Sequence, residues 1–362
     1  MLYLLLYPLR EYFSPLNLFH YITFRAAYAG ALSLILCLIF GPMMIRWIKK
    51  LALGQNIRAE VPERHKMKSG TPTMGGILIL TSIIIAVLLL ADLTNRYIQL
   101  GLLTLIWLGV LGYYDDYIKV RLKRPRGLSK RSKLIAQFSL AFIIGFILYF
   151  FPVSPEIKTK TNFLLFKNVS INFGIFYIPF VMIVIVGSTN AVNLTDGLDG
   201  LAIGLLSAAA ATYAFLVYIA GNVKLAQYLN VIYEPGCGEM VVFCLAIVGA
   251  GLGFLWFNSY PADIFMGDTG SLPLGGIIGL TAILSKQEVL LLLVGGVFVI
   301  EAGSVLLQVI YFHATKGRRI FKMAPLHHHF ELCGWQEPKI VTRFWILAAL
   351  FGLLAISSLK IR

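Results

Sequence analysis

Charge is what this 362-residue sequence has least of: 13% of its residues are Asp, Glu, Lys or Arg, against 58% hydrophobic. A water-soluble domain of this length has no core large enough to hide that much apolar surface, so the composition makes lipid the solvent. Acidic charge is scarcer still, with 17 carboxylates under 31 cations and a net charge of +14. The four cysteines, Cys37, Cys237, Cys244 and Cys333, show no CxxC spacing. Neither a disulfide framework nor a thiolate metal site is implied. No internal repeat and no low-complexity linker divides the chain, so residues 1–362 read as a single polytopic domain. The basic stretches lack interleaved aromatics, so their partner is anionic lipid headgroups and not nucleic acid.

What is abundant is apolar length. A spanning helix needs about 20 mostly apolar residues. Ten such runs are expected, at 24–46, 73–92, 97–115, 133–151, 174–192, 201–221, 240–258, 268–285, 289–312 and 340–359. The run at 268–285 is broken by Gly270, Pro273, Gly275, Gly276 and Gly279, a fault that neighbouring helices can repair. Residues 1–21 have no basic stretch ahead of their apolar residues and contain Pro8, Arg10 and Pro15. They read as an interfacial segment and not as a cleaved leader. Most Lys and Arg fall in 46–72, 116–133 and 313–343, which places those loops in the cytoplasm and both termini in the periplasm. The expected fold class is an all-α integral membrane protein of about ten transmembrane helices, with its site at the cytoplasmic face.

The positive-inside rule says nothing about carboxylates, yet six of the seven aspartates fall on that same side. Carboxylates against a basic background suggest a divalent cation, acid–base work, or both. Asp115 and Asp116 end the third run. Neighbours on a helix point about 100° apart, so one faces a site while the other braces a neighbour. A polar helix terminus beside Lys119 is the blander alternative. Asn190 to Gly200 holds Asn193, Asp196 and Asp199. The two aspartates are three apart and share a face on a helical turn. Asn193 donates and accepts at once, as a nucleobase edge requires. A simple N-cap to the sixth span would explain one of those carboxylates.

Asp268 opens the eighth run, where free backbone N–H groups and the helix dipole favour phosphate. A carboxylate there could hold Mg²⁺ against that phosphate, since Mg²⁺ takes one or two carboxylates with phosphate oxygens and waters. His327, His328 and His329 are consecutive and have no HxxxH or thiolate partner. Imidazoles donating to phosphate suit them better than zinc. The Gly-rich turn from Lys68 to Gly76 could cradle phosphate but is no Walker sequence. Glu301, inside the ninth run, is left unassigned between a buried hydrogen-bonded brace, the favoured reading, and part of a lipid groove. Together these islands suit phosphoryl transfer from a soluble nucleotide-linked donor to a lipid-linked acceptor.

The motifs GTPTMGG at 70–76, Asp115-Asp116, NAVNLTDGLDG at 190–200, GLGFLWFN at 251–258, FMGDTGSL at 265–272 and APLHHHFE at 324–331 carry a resemblance that runs through the whole chain. It resembles the phospho-N-acetylmuramoyl-pentapeptide transferases, within the polyprenyl-phosphate N-acetylhexosamine-1-phosphate transferases. The triple histidine is the more specific marker of the muramoyl-pentapeptide branch. Tyr114 replaces the aliphatic residue expected before the aspartate pair, and the carboxylate spacing is kept.

The resemblance implies a homodimer in the bacterial inner membrane, with Mg²⁺ as cofactor. The reaction it implies turns UDP-N-acetylmuramoyl-pentapeptide and undecaprenyl phosphate into lipid I and UMP for peptidoglycan synthesis. By motif, Asp268 is the metal ligand and Asp115 the base or nucleophile-activating residue, with Asp116 beside it. Asn193, Asp196, Asp199, Asn258 and Phe265 line the uridine and diphosphate region, with Phe265 under the uracil. Lys68, Thr73, His327 and His328 bind or orient donor groups, and Lys133 belongs to the basic rim.

Two rivals remain at this point. A sister transferase would use UDP-N-acetylglucosamine, against which the histidine triplet argues. A transporter or lipid flippase would place its ionisable groups near the midplane, often within inverted repeats.

Overall fold

A computed structural model describes residues 2, 5, 7–50, 71–122, 124, 127–162 and 170–361. Two short 3₁₀ segments, Tyr7–Glu11 and Ser14–His20, precede the first long helix. The helices then run in order: α1 Ile22–Lys50, α2 Gly76–Leu90, α3 Arg96–Val120 and α4 Lys130–Phe150. An antiparallel hairpin follows, β1 Lys160–Asn162 against β2 Ser170–Asn172. After it come α5 Tyr177–Thr195, α6 Leu201–Ala220, α7 Val223–Tyr228, α8 Met240–Asn258 and α9 Asp268–Leu284. The chain closes with α10 Leu291–Val294, α11 Gly296–Ala314, α12 Leu326–Leu332 and α13 Glu337–Ile361.

Among the described residues, eight of these helices are long and apolar enough to cross a membrane, and α2 and α9 are shorter apolar helices. The protein is a multi-pass helical membrane protein. The run expected at 289–312 divides into α10 and α11 at Gly295 and Gly296. Glycine is the poorest helix former after proline, and two in succession suffice to interrupt one. Polar caps set other boundaries. Asn95 Oδ1 accepts from Tyr97 N at 2.8 Å to start α3, and Ser129 Oγ accepts from Ser132 N at 3.1 Å to start α4.

The glycines of α9 do not break it; they bury it. Every residue from Asp268 to Leu284 is buried, because small side chains let α3 and α5 approach its backbone. At Gly112 a Cβ would strike the Asp268 carbonyl, so α3 and the first turn of α9 touch backbone to backbone. The outward faces of α1 and α11 carry exposed Ile35, Ile39, Leu306, Leu307 and Ile310, which lipid covers.

A second polar cluster ties the opposite end together. Buried Arg25 pairs with Glu239, its Nη2 at 2.9 Å from Oε2. Asp92 N donates to Glu239 Oε1 at 2.7 Å. Lys286 Nζ donates to Lys158 O at 3.0 Å and to Tyr177 OH at 3.1 Å. Tyr177 OH and Thr161 Oγ1 both donate to Glu288. These contacts anchor the hairpin to the far end of α9, away from the aspartate pair.

Candidate active site

The acidic islands converge where α2 and α9 begin and α3 and α5 end. Asp115 and Asp116 leave α3 in different directions and do different work. Asp116 turns to α9. Its Oδ1 accepts from Asp268 N at 3.2 Å, and its Oδ2 accepts from Thr269 N at 2.8 Å and Thr269 Oγ1 at 2.7 Å. It satisfies two backbone N–H groups that open the helix, and it places negative charge at the positive end of the dipole. Asp115 faces inward. Its Oδ1 accepts from Leu128 N at 2.7 Å, and its Oδ2 lies 2.5 Å from Lys119 Nζ and 2.8 Å from Lys133 Nζ.

Asp268 is the hub. Its Oδ2 takes Lys119 Nζ at 2.9 Å and Lys133 Nζ at 2.5 Å, and its Oδ1 takes Asn193 Nδ2 at 2.8 Å. Asp115, Asp116 and Asp268 offer oxygens that all lie within 4.8 Å of one another. Like charges about 4 Å apart repel by about 4 kcal/mol at an effective dielectric constant near 20. The trio therefore demands cations, and Lys119 and Lys133 supply two. Hard oxygen donors at this spacing, with positive charge already drawn to them, fit Mg²⁺.

Gly267, before the first turn of α9, has φ +74°, and a Cβ there would meet Asp116 Oδ2 and Thr73 Oγ1. Only glycine allows that crossing. The backbone of 72–76 pairs with 265–266 through Phe265 N to Pro72 O at 2.8 Å, Gly75 N to Phe265 O at 2.9 Å and Gly76 N to Met266 O at 2.8 Å. Thr73 and Phe265 thus arrive at the same place. Lys68 lies outside the described residues.

Asp196 follows α5 in a turn. Burial first, then the negative charges of Asp268 and Asp116, push its carboxyl up to about 8. Neither Asp196 nor Asp199 caps the next helix; Gly200 does, at φ +75° and without a side-chain bond. Asp199 and Asn258 hold loops. Asp199 Oδ2 accepts from Ala262 N at 3.1 Å, Asn258 Oδ1 accepts from Gly200 N at 3.0 Å, and Asn258 Nδ2 donates to Ile264 O at 2.8 Å.

The histidines also separate. His327 is buried, with its backbone N 3.1 Å from Glu301 Oε1 and its Nδ1 2.9 Å from Glu301 Oε2. His328 Nδ1 lies 2.8 Å from Glu331 Oε2. The expectation that both imidazoles donate to phosphate meets a chain in which each Nδ1 faces a carboxylate.

Three contributors escaped the sequence reading, and a fourth was misplaced. Lys119 joins the hub, and its signal was there: it stands four residues after Asp115 on one helix. Lys133 moves from rim to centre. Ser271 Oγ accepts from Asn193 Nδ2 at 2.9 Å, and Glu337 Oε1 accepts from Asp199 N at 2.7 Å. Glu337 is 138 residues away from its partner, and no local pattern announces it.

The model of glycosyl transferase family 4 matches residues 98–286. Signature 1 of the phospho-N-acetylmuramoyl-pentapeptide-transferases matches 68–80. The chain is 52% identical to the phospho-N-acetylmuramoyl-pentapeptide-transferase of Thermodesulfovibrio yellowstonii and 54% identical to that of Citrifermentans bemidjiense, over the full length of both chains in each case. It is 51% identical to the Maridesulfovibrio salexigens enzyme, again over the full length of both.

Proposed function

The chain belongs to the phospho-N-acetylmuramoyl-pentapeptide-transferase family, and from that premise we propose how its own residues carry the reaction. The enzyme transfers phospho-N-acetylmuramoyl-pentapeptide from its UDP-linked donor to undecaprenyl phosphate, giving lipid I and UMP. The bond that breaks joins the sugar-bearing phosphorus to the oxygen that bridges the donor's two phosphates, and that oxygen leaves on UMP. The bond that forms joins the sugar-bearing phosphorus to an oxygen of the acceptor phosphate.

The observation that carries the assignment is Asp268 at the N-terminus of α9, with Asp115, Lys119, Lys133 and Asn193 around it. Asp268, with Asp115 and Asp116 near, would hold Mg²⁺. Bound there, the ion neutralises the diphosphate. Lys119 and Lys133 lie on the same carboxylate oxygens and are placed to pass to phosphate oxygens when the donor enters. Asp115 orients the acceptor phosphate and takes its proton. Asp116 keeps the first turn of α9 in place, so that its remaining N–H groups face the phosphates. Thr73, Asn193, Asp196 and Phe265 form the donor wall, Phe265 stacking under the uracil. Asp199 and Asn258 shape that wall through the loops they hold. Lys68, His327 and His328 complete donor binding.

Residues 1–362 form one transferase domain of ten membrane helices, counting α2 and α9, in the bacterial inner membrane. Both termini are periplasmic, the aspartate end faces the cytoplasm, and the chain works as a homodimer. Cysteine labelling in intact cells tests the orientation: a thiol placed at the Lys316–Arg319 loop should be shielded, and one placed at 222 should be reached. UMP release from UDP-N-acetylmuramoyl-pentapeptide, with and without the polyprenyl acceptor, tests the activity.

A further inference from the structure

His327 poses a problem that Glu301 resolves. Glu301 is fully buried in the second turn of α11, inside an apolar helix. A charge at such a depth costs about 2.5–3.5 kcal/mol on insertion scales, so a role is expected. Both of its oxygens go to one residue, Oε1 to the His327 backbone N–H and Oε2 to Nδ1. A carboxylate only accepts, so Nδ1 carries the proton and Nε2 is left with a lone pair. Burial also holds the His327 pKa below the usual histidine range, which favours the neutral ring. Nε2 is buried and has no hydrogen-bond partner among the described residues. It points at Gly197, where a Cβ would run into it. Leaving a buried acceptor without a donor costs about 1–3 kcal/mol.

We propose that Glu301 is a positioning residue for donor recognition: it fixes the Nδ1–H tautomer of His327, so that Nε2 accepts a hydrogen bond from an N–H or O–H group of the sugar-nucleotide donor at the Asp196–Gly200 turn. The assignment rests on the transferase reading and refines it. A neutral imidazole with an outward lone pair repels phosphate oxygens, so His327 reads the donor's hydroxyl or amide groups and leaves the diphosphate to the aspartate–lysine cluster. Gly197 carries no side chain over Nε2, so a small opening of the Asp196–Gly200 turn admits the donor group.

The test is Glu301→Gln in the full-length enzyme, purified in detergent. Glutamine still accepts from the His327 backbone N–H, but it offers its NH₂ to Nδ1 and so moves the ring proton to Nε2. The KM for UDP-N-acetylmuramoyl-pentapeptide is expected to rise about tenfold, the loss of one hydrogen bond, while kcat and the acceptor KM stay within about twofold. Nitrogen-15 spectra of histidine-labelled protein should show a protonated Nδ1 in the wild type and a protonated Nε2 in Glu301→Gln. The wild-type Nε2 resonance should move when the donor is added. An unchanged donor KM, equal changes in both KM values, a wild-type ring protonated at Nε2, or an Nε2 resonance indifferent to the donor would each overturn the proposal. The tautomer is read on the wild type without turnover, so it decides even if the variant does not fold. Failure of the wild type to release UMP would instead strike the transferase reading.

Discussion

Lys133 Nζ lies 2.5 Å from Asp268 Oδ2, although the two residues are 135 positions apart. The contact joins the start of α4 to the start of α9 and puts a cation on the oxygen that a metal would use. Lys133→Met should therefore act in two directions. Turnover should fall about 100-fold, as when one preorganised charge at a phosphoryl centre is lost. Divalent-ion affinity should rise, because a competing cation is gone. Manganese binding followed by electron paramagnetic resonance, beside UMP release, separates the two; weaker metal binding would count against competition for Asp268.

Asp268→Asn removes the anionic ligand while keeping a side chain that reaches Lys119 and Asn193. Activity should drop by about 1,000-fold, and the remainder should respond little to Mg²⁺. Near-normal turnover at low Mg²⁺ in the purified variant would sink the metal assignment.

Asp116 is assigned to the scaffold. It accepts three hydrogen bonds from Asp268 and Thr269. Asp116→Ala should cost about 1–3 kcal/mol of stability by leaving N–H groups without partners. The melting temperature in detergent should fall, whereas Asp115→Ala should lose activity with a smaller thermal change. The reverse order would exchange the two roles.

Phe265→Ala should raise the donor KM by about tenfold, in line with about 1–3 kcal/mol for stacking on a base. The acceptor KM should hardly change. Separate titrations of the two substrates check this, and an effect confined to the lipid would contradict a place under the uracil.

At the other end of the bundle, burial raises the Glu288 carboxyl to about 7 from 4.5, with Lys286 opposing the shift. A raised carboxyl favours the folded state while it is protonated. The contribution is complete below about pH 4.5 and is lost as pH rises through about 7. Melting curves between pH 5 and 8 should show this slope in the wild type and less of it in Glu288→Gln. Equal slopes would assign the pH dependence elsewhere.

The helical class and most spans were legible because lipid demands long apolar runs. The glycines of 268–285 were ambiguous: the same small residues that weaken a helix alone let this one become the buried centre. The split of labour between Asp115 and Asp116 followed from the 100° step between helical neighbours. The central place of Lys133 did not, because charge content alone does not say which cation of a basic loop turns inward. Glu301 stayed open between a buried brace and part of a lipid groove, and its pairing with His327 was not legible, since that contact depends on how α11 packs against α12. Asp199 and Asn258 looked like pocket groups, and the structure ties both to neighbouring backbone, a distinction that composition does not carry.

Mg²⁺-dependent phospho-sugar transfer built on Asp268 makes one demand above the others. It is tested most directly by UMP release from the purified enzyme with undecaprenyl phosphate, offered UDP-N-acetylmuramoyl-pentapeptide or UDP-N-acetylglucosamine, before and after chelation of Mg²⁺. Release is expected from the muramoyl-pentapeptide donor alone, abolished by chelation and restored by added Mg²⁺. Release from the acetylglucosamine donor alone, or release that survives chelation, would contradict it.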